Sequence, residues 1–153
     1  SLAGSFNGLD HPYGIAYDPH NKFLYVTNND ANDVTAYDIQ GNQQTLAGSF
    51  AVFQSPSGIA YDPLNHWLYV AILLPLDTGA GVFVYDEQGN AQTLPGNPFR
   101  RTIQPYGVTY DPFWDGLLVS DITHVPFYTP SGVIARPNML PNLFGAQDAA
   151  IIP

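Results

Sequence analysis

A nine-residue phrase occurs three times in this chain of 153 residues, at 11–19, 55–63 and 104–112. Each copy has the pattern Pro-x-Gly, then two small or β-branched residues, then Tyr-Asp-Pro. The glycines of the phrase, Gly14, Gly58 and Gly107, recur at intervals of roughly 45 to 50 residues, a period that indicates a repeat architecture. The repeat therefore constrains the fold more strongly than any other feature of the sequence.

Each repeat divides into short strand signals, A to D, separated by turn residues. In the first repeat, strands A to D are predicted at residues 14–17, 22–27, 34–39 and 43–47. In the second, strands B to D are predicted at 67–72, 81–86 and 91–94, and in the third at 116–120, 125–128 and 133–136. Four antiparallel strands at this period predict an all-β chain made of β-propeller blades. A β-sandwich has similar strands but does not predict the same phrase at the start of every unit.

The repeats predict one domain of three blades, at about residues 12–48, 56–95 and 105–136, followed by a tail at 137–153. Residues 1–6 nearly repeat residues 45–50, so we expect an additional strand D at the start of the chain. Three blades do not close a ring, and an open array exposes blade faces and strand edges. We expect either a homodimer that closes a six-bladed ring by two-fold symmetry or a longer propeller of which this chain is a fragment.

Composition limits the classes of partner. The chain has 4 Lys and Arg against 13 Asp and Glu, a formal net charge of −9. Because phosphate binding needs clustered basic residues, nucleic acid is not an expected partner. No apolar run is long enough to cross a bilayer, so membrane insertion is not expected either. The absence of cysteine excludes disulfides, thiolate metal sites and a cysteine nucleophile.

The start of the chain bears on its location. The chain begins at Ser1, and residues 1–15 lack the charged start and apolar stretch of a signal peptide. This pattern indicates a removed leader or an excised piece. We expect a secreted, periplasmic or cell-surface location.

Two short motifs resemble known propeller families. Tyr25-Val26-Thr27-Asn28 spells the phrase that names the YVTN propeller repeats, and Pro-x-Gly-Ile-Ala is similar to the opening of NHL and gluconolactonase-type six-bladed propellers. The resemblance covers roughly residues 1–136 and implies a propeller of the kind found in prokaryotic surface and exported proteins. These families include inert scaffolds, ligand binders, lactonases and lyases, so the resemblance leaves the function open.

By analogy with these families, we expect the binding site on the face shared by the D–A connections and the B–C loops, here called the loop face. The predicted ligand-binding residues are His11, Tyr13, Asn28, Asn29, Tyr106, Asp121 and His124. Ser55, Ser57 and Gln104 occupy D–A positions on the same face. The favoured function is a non-enzymatic scaffold or binding module, with no cofactor, for a protein, carbohydrate or other small-molecule ligand.

The first alternative is a metal-dependent hydrolase, lactonase or lyase. The gluconolactonase resemblance implies a divalent ion near the channel with carboxylate and Asn ligands, a donor set that suits Ca²⁺ or Mg²⁺. Asp30 and Asp121 are then the candidate metal ligands, and these two residues and His124 the candidate catalytic residues. The chain offers no glutamate there, because its only one, Glu87, lies near a C–D turn. Loops also contain Asn and Asp simply because these residues favour turns.

A remote alternative is a dimeric aspartic protease. Asp77-Thr78-Gly79 follows an apolar stretch and resembles the catalytic motif of retroviral-type enzymes, in which each of two chains supplies one Asp. A tight glycine-rich connection explains the same residues without catalysis. The remaining histidines, His20 and His66, fall in A–B turns on the face opposite His11 and His124, and no His-x-x-x-His zinc pattern is present.

Overall fold

The computed structural model describes residues 4–50, 54–74, 81–95, 99, 102, 104–137 and 139. Regular structure in these residues consists of β-strands in three antiparallel sheets. Across the same residues, no helix is long and apolar enough to span a membrane. The predicted all-β class and the division into three sheets are confirmed.

The strands follow chain order within each sheet. The first sheet consists of β1 (Pro12–Asp18), β2 (Phe23–Asn28), β3 (Asp33–Asp38) and β4 (Gln43–Gln44). The second consists of β5 (Gln54–Asp62), β6 (Trp67–Leu74) and β7 (Gly81–Asp86). The third consists of β8 (Gly107–Asp111), β9 (Gly116–Ser120), β10 (Phe127–Tyr128) and β11 (Ile134–Arg136). This is the strand arrangement expected of propeller blades.

The fourth strand of the first two blades is shorter than predicted. Residues 43–47 were expected to pair, but only Gln43–Gln44 do. In the second blade the predicted strand at 91–94 is reduced to one bridge between Tyr85 and Ala91. The residues that follow explain the shortening, because Leu46 and Leu94 turn inward and pack against buried residues between the blades.

An aromatic latch joins each blade to the chain segment that precedes it. Phe6, Phe50 and Phe99 have positive φ angles of 47°, 41° and 55°. Each donates its backbone N–H to a glycine carbonyl in the hairpin turn of the following blade, at Gly41, Gly89 and Gly132, over 3.1, 3.1 and 2.9 Å. Each ring also lies 5.1 to 5.3 Å from a buried tyrosine ring of that blade, at Tyr37, Tyr85 and Tyr128. Residues 4–6 belong to such a latch and lie in no strand, unlike the strand D expected at 1–6.

The Pro-x-Gly part of the repeated phrase forms a β-bulge. The register of β1 on β2 shifts between Pro12 and Ile15, and that of β5 on β6 shifts between Pro56 and Ile59. A bulge bends the strand locally. Here it carries Gly58 so close to the next blade that a Cβ atom would lie 2.7 Å from the Cα of Gly107.

Hydrogen bonds connect the inner strands of neighbouring blades. The Thr27 hydroxyl donates to the carbonyl of Ser57 over 2.5 Å. The Ser57 hydroxyl in turn donates to the carbonyl of Pro105 over 3.0 Å, and the N–H of Gly58 donates to Tyr106 O over 2.8 Å. Strand β2 of the first blade is therefore bonded to strand A of the second, and strand A of the second blade to the segment that opens strand A of the third, by polar contacts as well as by packing.

The hydrophobic core lies between the blades. One cluster joins the first two blades through residues such as Tyr25, Phe50 and Leu68, and a second joins the last two through residues such as Tyr69, Phe99 and Leu117. No neighbouring blade packs against the outward face of the first blade among the described residues. Ile15 is 62% exposed there, whereas its counterparts Ile59 and Val108 are 6% and 5% exposed.

Candidate functional site

The loop face brings three predicted residues together. The D–A connection and the B–C loop of the first blade meet where Asn29 donates its N–H to the carbonyl of His11 over 3.1 Å. His11 Nδ1 lies 3.2 Å from Asp30 Oδ1, and the rings of His11 and Tyr13 pack edge to face at 5.6 Å. All three side chains are exposed. We call His11, Tyr13 and Asp30 the His11 group.

The backbone at the start of each blade is the same although its side chain differs. His11, Ser55 and Gln104 have φ angles of 50°, 55° and 53°, in the left-handed region that non-glycine residues seldom adopt. The fold therefore presents one side chain at this position of every blade. Since the backbone is constant, the residue type alone distinguishes the three blades here.

Asn28 is a structural residue. It is fully buried, and its Nδ2 donates to Asp33 Oδ1 and to Thr35 Oγ1, each over 2.7 Å. Its Oδ1 accepts the N–H of Asp10 over 3.2 Å. A buried amide with these three bonds is already satisfied, so it stabilises its loop and does not face a ligand.

Asp121 is also buried, and its carboxylate organises its own loop. Oδ1 accepts the N–H groups of Thr123 and His124 over 2.7 and 2.9 Å, and it lies 2.8 Å from Nδ1 of His124. Neither Asp30 nor Asp121 belongs to a group of three or more converging His, Asp or Glu side chains in the described ranges.

The remaining predicted residues contribute to the links between blades or lie elsewhere. Asn29 donates its side-chain amide to the carbonyl of Pro56, and Tyr106 is bonded through its main chain to Gly58 and Ser120. The protease motif at Asp77-Thr78-Gly79 lies outside the described residues.

The opposite face carries a cluster of side chains that the sequence patterns do not predict. His20 and His66 come from the A–B turns of the first two blades, and Glu87 follows strand β7. His20 Nδ1 lies 3.1 Å from both carboxylate oxygens of Glu87, and His66 Nδ1 lies 2.8 Å from Oε1. The Tyr61 hydroxyl donates to Oε1 over 2.8 Å. We call His20, His66, Glu87 and Tyr61 the turn-face cluster.

Local structure fixes the backbone of the cluster. Asp18 Oδ1 accepts the N–H of His20 over 2.8 Å, which closes the turn after β1. His66 has a φ angle of 56°, the left-handed conformation that Lys22 and Asp115 also adopt at the matching turn positions. The carbonyl of Glu87 accepts the Tyr25 hydroxyl over 2.7 Å, which ties the first blade to the turn of the second.

Burial and hydrogen bonding have opposite effects on the pKa of Glu87 in the cluster. Burial raises the pKa of Glu87, but hydrogen bonds from Tyr61, His66 and His20 outweigh it, so the pKa of Glu87 is lowered. Burial also raises the pKa of nearby Asp18, and the negative charge of Glu87 raises it further, against the opposing N–H of His20 and hydroxyl of Tyr61. The hydrogen bonds of the cluster therefore favour the charged form of the Glu87 carboxylate, which lies beside two imidazoles.

The members of the turn-face cluster are far apart in the sequence, so no short sequence pattern predicts it. His20 and Glu87 are 67 residues apart. The signal that was available is topological: A–B turns and C–D turns lie at the same end of every blade. This topology predicts His20 and His66 on one face, and Glu87 belongs to the same face.

Comparison with solved structures supports the β-propeller fold. A chain of the nidogen/laminin complex matches with a TM-score of 0.68 and 20% identity, over 82% of this chain and 47% of that one. Hydrazine synthase from Kuenenia stuttgartiensis matches with a TM-score of 0.67 and 18% identity, over 97% of this chain and 40% of that one. A gluconolactonase from Xanthomonas campestris matches with a TM-score of 0.70 and 17% identity, over 96% of this chain and 53% of that one.

These similarities concern architecture. The chain spans about half or less of the length of each of these structures. No protein-family model matches the chain, and no curated protein matches it. Membership of the YVTN or NHL families therefore stays a prediction.

Proposed function

We propose that the chain is a β-propeller binding module that holds a carbohydrate ligand at the His11 group of the loop face. The observation that carries the proposal is an exposed phenol ring beside an exposed imidazole and an exposed carboxylate, with His11 and Asp30 3.2 Å apart. The ring of Tyr13 supplies a flat apolar surface, and Asp30 and His11 supply acceptors and a donor for sugar hydroxyls.

The division of roles on the loop face supports this proposal. Buried Asn28 is occupied by hydrogen bonds within the loop that carries Asp30, and buried Asp121 is occupied in the same way in the third blade. A binding site on a rigid scaffold loses little conformational entropy when a ligand binds. Loops held on a rigid framework are a common location for binding residues.

Binding to a glycan array tests the proposal. We expect the chain to retain a defined set of glycans, and Tyr13→Ala and Asp30→Asn to abolish that retention. Phe113→Ala is the matched aromatic control, because Phe113 is 81% exposed in a turn on the opposite face. Retention that survives both loop-face substitutions, or no retention of any glycan, would contradict the proposal.

A metal-dependent lactonase is the second candidate, favoured by the structural similarity to the Xanthomonas campestris gluconolactonase. In that reading Asp30 and Asp121 hold Ca²⁺ or Mg²⁺ and His124 takes part in catalysis. Gluconolactone hydrolysis in the presence of either ion separates the two candidates. A rate above the spontaneous one that is lost in both Asp30→Asn and Asp121→Asn supports the lactonase, and a spontaneous rate supports the binding module.

We also propose that a second copy of the chain covers the outward face of the first blade and completes the ring. Tyr17 is 49% exposed on this face, whereas its counterpart Tyr61 is 9% exposed because a blade covers it. Ile15 differs from Ile59 in the same way. Exposed residues whose counterparts form the core of an interface are typical of an incomplete assembly.

The third blade supplies a complementary surface. Thr109 and Leu118 are only partly buried on its outward face, at positions where the second blade presents Ala60 and Tyr69 to its neighbour. Two copies related by a two-fold axis would bring each first blade against the partner's third blade, at two equivalent interfaces. The two chains would together provide six blades.

Light scattering tests the assembly. We expect twice the mass of one chain for the wild type and the mass of a single chain for Ile15→Glu. Leu64→Glu is the control, because Leu64 is 66% exposed but lies in the A–B turn of the second blade, both of whose neighbouring blades belong to the same chain. A wild-type chain of single mass would contradict the proposal and indicate that other blades of a longer protein cover this face.

A further inference from the structure

We infer that the turn-face cluster is a binding site for a divalent transition-metal ion of the zinc class, with His20, His66 and Glu87 as ligands and Tyr61 as a positioning residue. The site lies at the junction of the first two blades, on the face opposite the His11 group. It is independent of the carbohydrate-binding proposal.

The geometry of the three ligands suits such an ion. Their ligand atoms all lie within 4.8 Å of one another, and each Nδ1 atom is 2.8 to 3.1 Å from the Glu87 carboxylate. Tetrahedral zinc, with bonds of about 2.0–2.1 Å to nitrogen, needs neighbouring ligand atoms about 3.3 Å apart. Because both histidine side chains are exposed, their rotation can bring the three ligand atoms to this spacing.

The donor set selects the class of metal. Imidazole nitrogen favours zinc, copper, nickel and iron, whereas Ca²⁺ and Mg²⁺ prefer oxygen donors alone. His20 and His66 are about half or more exposed at the side chain, and Glu87 is 16% exposed. Three protein ligands on an open surface leave a fourth position for water.

Neighbouring groups hold the carboxylate in place. The Tyr61 hydroxyl donates to Oε1 of Glu87, which leaves Oε2 directed to His20 at 3.1 Å. The Tyr25 hydroxyl fixes the Glu87 backbone. Such supporting hydrogen bonds orient metal ligands in known sites. Buried Asp18 lies nearby, and its Oδ2 has no hydrogen-bond partner in the described part of the chain.

The repeat provides an internal comparison. At the junction of the second and third blades, the positions of His20, His66 and Glu87 are occupied by Leu64, Asp115 and Pro130. The framework is nevertheless the same, because the Tyr69 hydroxyl donates to Pro130 O as the Tyr25 hydroxyl donates to Glu87 O. The fold therefore does not require an imidazole at the positions of His20 and His66 or a carboxylate at the position of Glu87. The three ligands occur together at one junction only in the described blades.

Calorimetric titration of the full chain with zinc chloride tests the inference. We expect one zinc ion per chain, and loss of that binding in His20→Gln, in His66→Gln and in Glu87→Gln. His11→Gln is the matched control, because it removes the other exposed histidine that faces a carboxylate. It should bind zinc as the wild type does.

Tyr61→Phe separates positioning from ligation. It should keep a stoichiometry of one ion per chain while the affinity falls by about 10- to 100-fold. Imidazole nitrogen resonances of His20 and His66, and not those of His11 or His124, should shift on zinc addition. Failure of the wild type to bind zinc, or binding that persists in Glu87→Gln, would overturn the inference. Circular dichroism verifies that each variant is folded.

Discussion

The close approach of strand A from neighbouring blades predicts a large effect for Gly58→Ala. A Cβ atom on Gly58 would lie 2.7 Å from Gly107 Cα, 2.7 Å from Val108 N and 2.8 Å from Tyr106 O. All three atoms belong to the backbone, so no side chain can rotate away to make room. The added methyl group must therefore separate the second and third blades along their inner strands.

The magnitude follows from the contacts that separation would break. Overpacking of this kind costs about 1–3 kcal/mol. Moving the blades apart also weakens the bond from Gly58 N to Tyr106 O and the bond from the Ser57 hydroxyl to Pro105 O, each worth about 0.5–1.5 kcal/mol. We expect the free energy of unfolding to fall by about 4 kcal/mol, a large part of the 5–15 kcal/mol typical of a domain.

Urea denaturation followed by tryptophan fluorescence measures this change, at one protein concentration for all variants because assembly would contribute to stability. Gly81→Ala is the matched control, since a Cβ there meets nothing within 4 Å. It should change the free energy of unfolding by no more than about 0.5 kcal/mol. A Gly58→Ala variant within about 1 kcal/mol of wild type would refute the close-packed arrangement of the inner strands.

Three further predictions concern buried groups. Phe50→Ala should lower the free energy of unfolding by about 3–5 kcal/mol, because Phe50 is 2% exposed and lies between the rings of Tyr25 and Tyr85. Phe113→Ala is the control in the same urea titration and should be near neutral, because Phe113 is exposed. Asn28→Ala should cost about 1–3 kcal/mol by leaving its buried partners unsatisfied, and a loss below about 0.5 kcal/mol would show that the loop does not depend on it. Burial raises the pKa of several tyrosines well above the ordinary value near 10, namely Tyr25, Tyr61, Tyr69, Tyr85 and Tyr110. Since the native pKa values of these tyrosines are raised, the stability that they contribute is complete below pH 10 and declines as the pH rises above it. Tyrosinate absorbance from these residues should therefore appear together with loss of circular dichroism. Appearance of that absorbance in a still-folded chain would contradict the burial.

The repeat predicts the sheets well because each strand is bounded by residues with strong local preferences. Tyr-Asp-Pro ends strand A in every blade, and Asp18 and Asp62 accept backbone N–H groups two residues later. Such turns depend on neighbouring residues alone, so they are visible in the sequence. The order and antiparallel pairing of the strands follow directly.

Other features depend on contacts between blades, which short patterns do not encode. Phe50 occupies a stretch with β-forming residues, yet its position between two blades requires a left-handed backbone instead of a strand. The positions of His11, Ser55 and Gln104 have positive φ without glycine, so their conformation is hidden by the residue types. The repeated backbone becomes evident only when the three copies are superposed.

The candidate sites also contain residues whose environment the sequence predicts and residues whose environment it does not. The exposure of His11 and Asp30 follows from their place in connections between strands, whereas Tyr13 is exposed near the start of β1. Burial of Asn28 and Asp121 does not follow, because the same residue types serve equally as ligands and as caps of turns. The turn-face cluster required knowledge of which turns meet across a junction.

The aromatic latch has a consequence for how such a chain gains or loses repeats. The ring that completes one blade is carried by the segment that precedes it, at Phe6, Phe50 and Phe99. The repeating sequence unit is therefore offset from the sheet. It extends from one latch to the residue before the next latch. A duplication or deletion that runs from one latch to the next leaves every hairpin with its ring. Duplication of a sheet alone adds a hairpin without a ring, and deletion of a sheet alone leaves a ring without a hairpin. Since neighbouring units in repeat proteins stabilise one another, recombination at the latches should be the tolerated route by which the number of blades changes.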